Sequence, residues 1–116
     1  MHKVFRAIDR KSKQWAYSDV VSLPAFWSAW FQGEFRSETV SQWIGLYDKA
    51  AAAIYEGDRC KVSAQTSTYV VRWDDVHAAF KLWDEALEQF SDLLPSSVEQ
   101  KRILVMGNIH DHLLRA

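Results

Sequence analysis

The sequence is poor in the features that mark most functional classes. It has a single cysteine, Cys60, so no intramolecular disulfide can form. It has little charge imbalance: fourteen basic residues against fifteen acidic give a formal net charge of -1. No whole-molecule field therefore gathers nucleic acid or anionic lipid, and any such binding must come from a local patch. Long apolar runs are missing as well. The most apolar stretch, Leu23 to Phe31, is far shorter than the ~20 residues of a membrane span. No positively charged, apolar, small-residue leader pattern opens the chain, and the sequence reads as a soluble, membrane-free cytoplasmic protein. The phosphate-cradling G-x-x-x-x-G-K-[ST], the dinucleotide G-x-G-x-x-G, the nucleophile elbow and the paired-cysteine zinc pattern are all absent. Four common enzyme classes lose their best support, and no cofactor or resident metal is implied.

What the sequence does have is apolar bulk. At 116 residues with 48% hydrophobic content it is long enough to bury one core, and the expected organisation is one domain over residues 1–116. Six Trp, four Tyr and six Phe offer large rings to a core or to a partner.

Periodicity organises the chain into short elements. Residues 3–8 (KVFRAI) and 14–17 (QWAY) favour strands, and the polar run DRKSK between them suits a hairpin turn. Residues 22–36 space Phe26, Trp27, Trp30 and Phe31 as on one side of a short helix, with Ser22 as its cap, Pro24 in its first turn and Gly33 near its end, although a strand also suits so many aromatics. Residues 39–46 (TVSQWIGL) read as a strand leading to the connector YDKAAAA. In IYEGDRCKVSA, Cys60, Val62 and Ala64 repeat at a period of two, and Gly57 is the flexible position before that strand. TSTYVVRW, residues 66–73, is the clearest strand, with Tyr69, Val71 and Trp73 on one face and Val70 and Arg72 on the other. From 76 to 94, AAFKLW completes a hairpin with TYVVRW, and the helical spacing of Phe80, Trp83, Leu87, Phe90 and Leu94 predicts a helix after it. Pro95 to Ser97 marks a loop, RILVMGNI a final buried strand, and HDHLLRA a fraying tail. No internal repeat or low-complexity linker divides the chain.

Three blocks of this pattern resemble the YopX family of phage and prophage proteins. KVFRAIDRKSKQWAY, Lys3 to Tyr17, is similar to the family's F-R-A-x-D opening before a basic turn and an aromatic strand. GLYDKAAAAIYEGDRCKV, Gly45 to Val62, resembles its G-L-x-D-K-x-x-x-x-I-Y-E-G-D signature, and VMGNIHDHLL, Val105 to Leu114, its V-x-G-N-I close. TYVVRWDD, Thr68 to Asp75, has the character of the family's core strand. The resemblance implies a phage or prophage source, hence a bacterial host cytoplasm, and a mainly β framework; the family brings no established activity with it. Two segments depart from it: Ala50 to Ala53 stand where the signature has a polar, Gly-containing turn, and the aromatic run Phe26 to Phe35 belongs to none of its motifs. Read physically, Ile54 and Tyr55 anchor a strand end, Glu56-Gly57-Asp58 turns the backbone and Gly107-Asn108 forms a turn or bulge, so these motifs are scaffold.

Few residues carry candidate chemistry. His110 and His112, with His77 or Asp111, have the donor types for a transition metal, against the plainer reading of a solvated tail. Asp74, Asp75, Glu56 and Asp58 are carboxylates for acid-base or divalent-metal work if the fold gathers them, and otherwise turn residues. Cys60 sits in an alternating pattern that makes it a small core residue. Arg6, Arg10, Lys11 and Lys13, with Trp15 and Tyr17, form the densest basic and aromatic group and the candidate nucleic-acid surface. Phe26, Trp27, Trp30, Phe31 and Phe35 are either a helix packed on its own sheet or a patch for a partner.

The fold expected is mainly β to α+β, a small twisted barrel-like antiparallel sheet with one or two short helices. The function expected is non-enzymatic binding of a protein partner, a host or antiviral-defence factor, through the aromatic segment, with self-association through the same residues. A nucleic-acid-binding module built on the basic hairpin is the alternative.

Overall fold

The computed structural model describes residues 4–91 and 102–115. The chain is mainly β, with two short α-helices and an antiparallel sheet curled into a half-barrel, as its alternating segments predict. Two compact units divide it, the first comprising residues 1–43 and 110–116, the second 44–109.

The first unit opens with the expected hairpin. Strands β1 (Phe5–Ile8) and β2 (Trp15–Tyr17) pair antiparallel, Arg6 with Tyr17 and Ile8 with Trp15. Asp9 builds the turn, its carboxylate accepting from the backbone N–H groups of Lys11 and Ser12 at 2.9 and 2.8 Å. These bonds favour the charged form and hold its pKa below the usual carboxylate range. A short helix, α1 (Ser18–Val21), leads to α2 (Leu23–Phe31). Ser22 caps α2 by accepting from the Ala25 N–H, Pro24 lies in its first turn, and Gly33 follows it at φ +75. The chain then returns along β1, with the Arg10 N–H bonded to the Glu34 carbonyl, the Arg36 N–H to the Ile8 carbonyl, and Phe35 bridged to Asp9. This seats Phe35 beside Phe26 and Ala7 in a core that half-buried Phe5, Ala16, Trp27, Trp30 and Val40 extend. The tail does not fray as predicted: Asp111–Leu113 forms a 3-10 turn, and the Arg115 N–H bonds the Lys13 carbonyl at 2.9 Å.

Strand β3 (Ser41–Tyr47) pairs with β1 at its start, in the strand order β2-β1-β3-β4. The second unit contains β4 (Ala53–Tyr55) and a five-stranded antiparallel sheet in the order β8-β7-β6-β5-β9. Its strands are β5 (Asp58–Val62), β6 (Thr68–Asp74), β7 (Ala79–Asp84), β8 (Gln89–Phe90) and β9 (Ile103–Asn108). Cys60, Val62, Tyr69, Val71, Leu82, Ile103 and Ile54 pack together as its core. Trp73, which alternation puts on the same face as Tyr69 and Val71, is 44% exposed, because its strand ends there and its ring packs edge-on against Phe80.

The helix predicted after β7 is replaced, over its described part, by a turn and strand β8. Trp83 and Phe90 keep helical spacing because they are cross-strand partners, their rings meeting edge-to-face with centroids 5.1 Å apart, while Leu87 lies exposed at the turn. The same device occurs twice. In W-D-x-x-x-x-x-F from Trp73 to Phe80, and again from Trp83 to Phe90, the Asp carboxylate accepts from turn N–H groups, Trp and Phe pair across the hairpin, and the residue closing the turn has positive φ: Ala78 at 49° and Glu88 at 51°. A short repeat is therefore present where none was expected. Leu94 and the predicted loop at Pro95 to Ser97 lie outside the described residues.

Candidate functional site

The motif residues have structural duties in the second unit. Asp48 is buried, and its carboxylate accepts from the N–H groups of Ala50, Ala52 and Val105 at 2.8, 2.9 and 2.9 Å, fixing the alanine turn and covering part of the outer edge of β9. The turn forces Ala51 to φ +65. Glu56-Gly57-Asp58 and Gly107-Asn108-Ile109, some fifty residues apart in sequence, meet. Asp58 accepts from the Tyr55 N–H at 2.8 Å and from the Asn108 side-chain amide at 2.9 Å, and the Ile109 N–H bonds the Gly57 carbonyl at 3.0 Å. Gly57 has φ +87, and a Cβ there would stand 3.2 Å from the Asn108 amide nitrogen. The β5–β9 register shifts between Arg59 and Cys60, leaving Met106 as the extra residue of a bulge. These motifs are scaffold, as their turn chemistry predicts.

The carboxylates proposed for chemistry are thereby divided. Asp58 is committed to the turn. Asp74 belongs to the first W-D hairpin, where His77 Nδ1 and Lys81 Nζ approach its Oδ2 at 2.8 and 2.9 Å. The His77 and Lys81 hydrogen bonds hold its pKa far below the usual carboxylate range, against a smaller opposing effect of burial. Glu56 is raised by burial. Asp75 is exposed in the turn. Cys60 is fully buried, and its thiol is pushed up to about 12, first by burial and then by the charges of Asp58 and Asp48. A nucleophile needs the opposite environment. Burial also lowers the pKa of His110. Among the described residues, no three His, Cys, Asp or Glu side chains group as metal ligands, and no helix is long and apolar enough to cross a membrane.

In the first unit the basic hairpin is less open than its sequence implies. Arg6 is buried, with its guanidinium 3.9 Å over the Trp15 ring, so Trp15 already carries a stacked cation. Arg10 donates from Nε to the Gly33 carbonyl at 3.1 Å. Lys11 and Lys13 are exposed, and Tyr17 is half-buried.

The aromatic run splits between core and surface. Phe26 and Phe35 are core residues, at 0% and 4% exposure. Trp27 and Trp30 are half-buried, joined edge-to-face with centroids 5.6 Å apart. Phe31 is 80% exposed, propped against Trp30 at 5.1 Å. The segment is thus part core and part solvent-facing, residue by residue. A shallow depression of about 270 Å³ lies here, lined by Arg10, Trp30, Phe31, Gly33, Phe35 and Ser37. No sequence pattern pointed to Arg10 as part of it, because the Arg10–Gly33 bond is made only when residues 34–36 return along β1.

The fold and these roles define a small mainly β protein whose recognisable motifs build turns. The family model described as "YopX protein" matches residues 4–113, and the chain belongs to that family. No curated protein matches the sequence.

Proposed function

We propose that the protein is a phage- or prophage-encoded accessory factor that works by binding rather than turnover, and that its partner is a protein of the bacterial host, a host or antiviral-defence factor, met in the cytoplasm. The observation that carries this reading is Phe31. An 80% exposed phenylalanine is costly to leave in water, and this one packs against Trp30 in the lining of a depression that Arg10 also lines. Fixed aromatic and arginine side chains are the residue types that dominate protein contacts. A second copy of the chain is the other protein partner this patch suits, through a two-fold contact.

The test is retention of host-lysate proteins by the immobilised chain and by Phe31→Asp, with Val76→Asp as a control at an equally exposed apolar residue of the second unit. A protein retained by the natural sequence and by the control is expected to fall at least tenfold with Phe31→Asp, the loss typical of an anchor residue. Equal retention by all three chains refutes the reading. Sedimentation over a concentration series separates self-association, which Phe31→Asp would also abolish.

A further inference from the structure

The outer face of the five-stranded sheet carries a basic and aromatic track that the chain's overall charge conceals. Alternation along β5 turns Cys60 and Val62 into the core and leaves Arg59 and Lys61 exposed. The register carries that outer side across the neighbouring strands: Arg59 stands opposite Val70, Val70 opposite Trp83, and Trp83 opposite Phe90. Two residues further along β6, Arg72 stands opposite Lys81. Four cations, Lys61, Arg59, Arg72 and Lys81, therefore step diagonally over three adjacent strands. Neighbouring strands are about 4.8 Å apart, and alternate residues of one strand about 6.7 Å.

Aromatic rings hold the centre of the track. The Arg72 guanidinium lies 4.2 Å over the Trp83 ring and 5.9 Å from Phe90, and Lys81 Nζ lies 5.9 Å from Phe90. Arg72 thus rests over one ring while its side chain stays exposed to solvent. Charge compensation is uneven. Asp74 holds Lys81, and Glu85 meets Arg59 at 3.4 Å with both side chains substantially exposed, a surface pair worth little. Lys61 and Arg72 have no carboxylate partner among the described residues.

We infer that this face is a binding platform for single-stranded nucleic acid. A single strand supplies the two features that the track complements: backbone phosphates for Lys61 and Arg59, and unpaired bases to stack on the exposed Arg72 guanidinium and the rings beneath it. A duplex offers the charge but keeps its base faces inside the stack, and an acidic peptide offers carboxylates without flat rings. The platform is built wholly of second-unit residues and includes neither Phe31 nor the hairpin cations Lys11 and Lys13, so it is tested independently of the protein contact proposed above.

The test is fluorescence anisotropy of labelled oligothymidylate and oligouridylate, with a labelled duplex of equal length, titrated with the full chain over a salt series. Single strands are expected to bind more tightly than the duplex, with affinity falling as salt rises. Lys61→Ala and Arg72→Ala should each weaken binding about tenfold, the loss expected of a phosphate contact or a stacked base. Arg72→Lys keeps the charge but not the plane and should still lose most of that factor. Lys11→Ala/Lys13→Ala and Phe31→Asp should bind as the natural chain does. Thermal melts identify any variant that fails to fold, and both substituted track residues are exposed, so folding should be preserved. The inference is overturned if no salt-sensitive binding occurs, if duplex binds as tightly as single strand, if the hairpin variant alone abolishes binding, or if Arg72→Lys binds like the natural chain.

Discussion

Replacing Asp58 by alanine tests the claim that the E-G-D and G-N-I blocks form one structural lock. The carboxylate is 2% exposed and accepts from two donors that are themselves buried, the Tyr55 backbone N–H and the Asn108 side-chain amide. Removing it takes away the acceptor of both bonds, while Asn108 keeps a long 3.5 Å contact to the Glu56 carbonyl. A buried polar group left unsatisfied costs roughly 1–3 kcal/mol, so the two together should cost about 2–4 kcal/mol. For a chain of this size each kcal/mol lowers the melting temperature by roughly 4 °C, which predicts a fall of about 8–16 °C. Asp58→Asn should not rescue the loss, since one oxygen becomes an NH2 group facing a donor. The assay is thermal and urea unfolding of Asp58→Ala, Asn108→Ala and the double variant. The double variant should be more stable than the sum of the single losses by about 0.5–3 kcal/mol, the coupling expected of residues in direct contact. A single-variant loss below about 2 °C, or strict additivity, would refute the lock.

Further outcomes follow from neighbouring groups. Gly57→Ala should destabilise by about 1–2 kcal/mol from the left-handed backbone alone, measured by urea unfolding. Ala51→Gly should have the opposite sign, because Ala51 holds φ +65 in the alanine turn; relief of that strain minus the added unfolded-state entropy leaves a gain of about 0.5–1 kcal/mol. Cys60 should resist alkylation in native buffer near pH 8 and react fully once denatured, its burial and raised pKa both suppressing thiolate; rapid native labelling would show that the core opens readily. Asp74 has its pKa depressed on folding by its bonds to His77 and Lys81, so its contribution to stability is present above the ordinary Asp range and lost as pH falls below about 4 toward the depressed value. Melts over that range should be less pH-dependent in Asp74→Asn than in the natural chain.

The legible parts of the fold were those in which neighbouring residues carry the signal. Ser22, Pro24 and Gly33 marked α2, DRKSK marked the first hairpin, and the C-K-V alternation marked β5. The β8 segment was misread because Trp83, Leu87 and Phe90 are spaced three and four apart, as on a helix face, whereas two of them meet across a hairpin turn and the third is at its tip. The cue that resolves it was in the sequence: Trp-Asp and Phe recur ten residues after their first occurrence, each Asp poised to cap a turn. The aromatic run was legible as apolar but not as exposed, because Phe26, Phe35 and Phe31 are chemically identical and differ only in which way the returning segment carries them.

By itself the sequence determined the small β framework, the turn-building role of its motifs and the YopX lineage, since turn chemistry, period-two alternation and motif order are properties of residues close along the chain. The tertiary structure decided what faces solvent. Arg59, Lys61, Arg72, Lys81, Trp83 and Phe90 are scattered over four strands and become one surface only when antiparallel register brings those strands side by side. The basic hairpin, contiguous in sequence and conspicuous there, lost part of its availability when Arg6 folded onto Trp15 and Arg10 onto the Gly33 carbonyl. Long-range strand pairing, which no local pattern encodes, separated the cations folded against the chain from those left exposed.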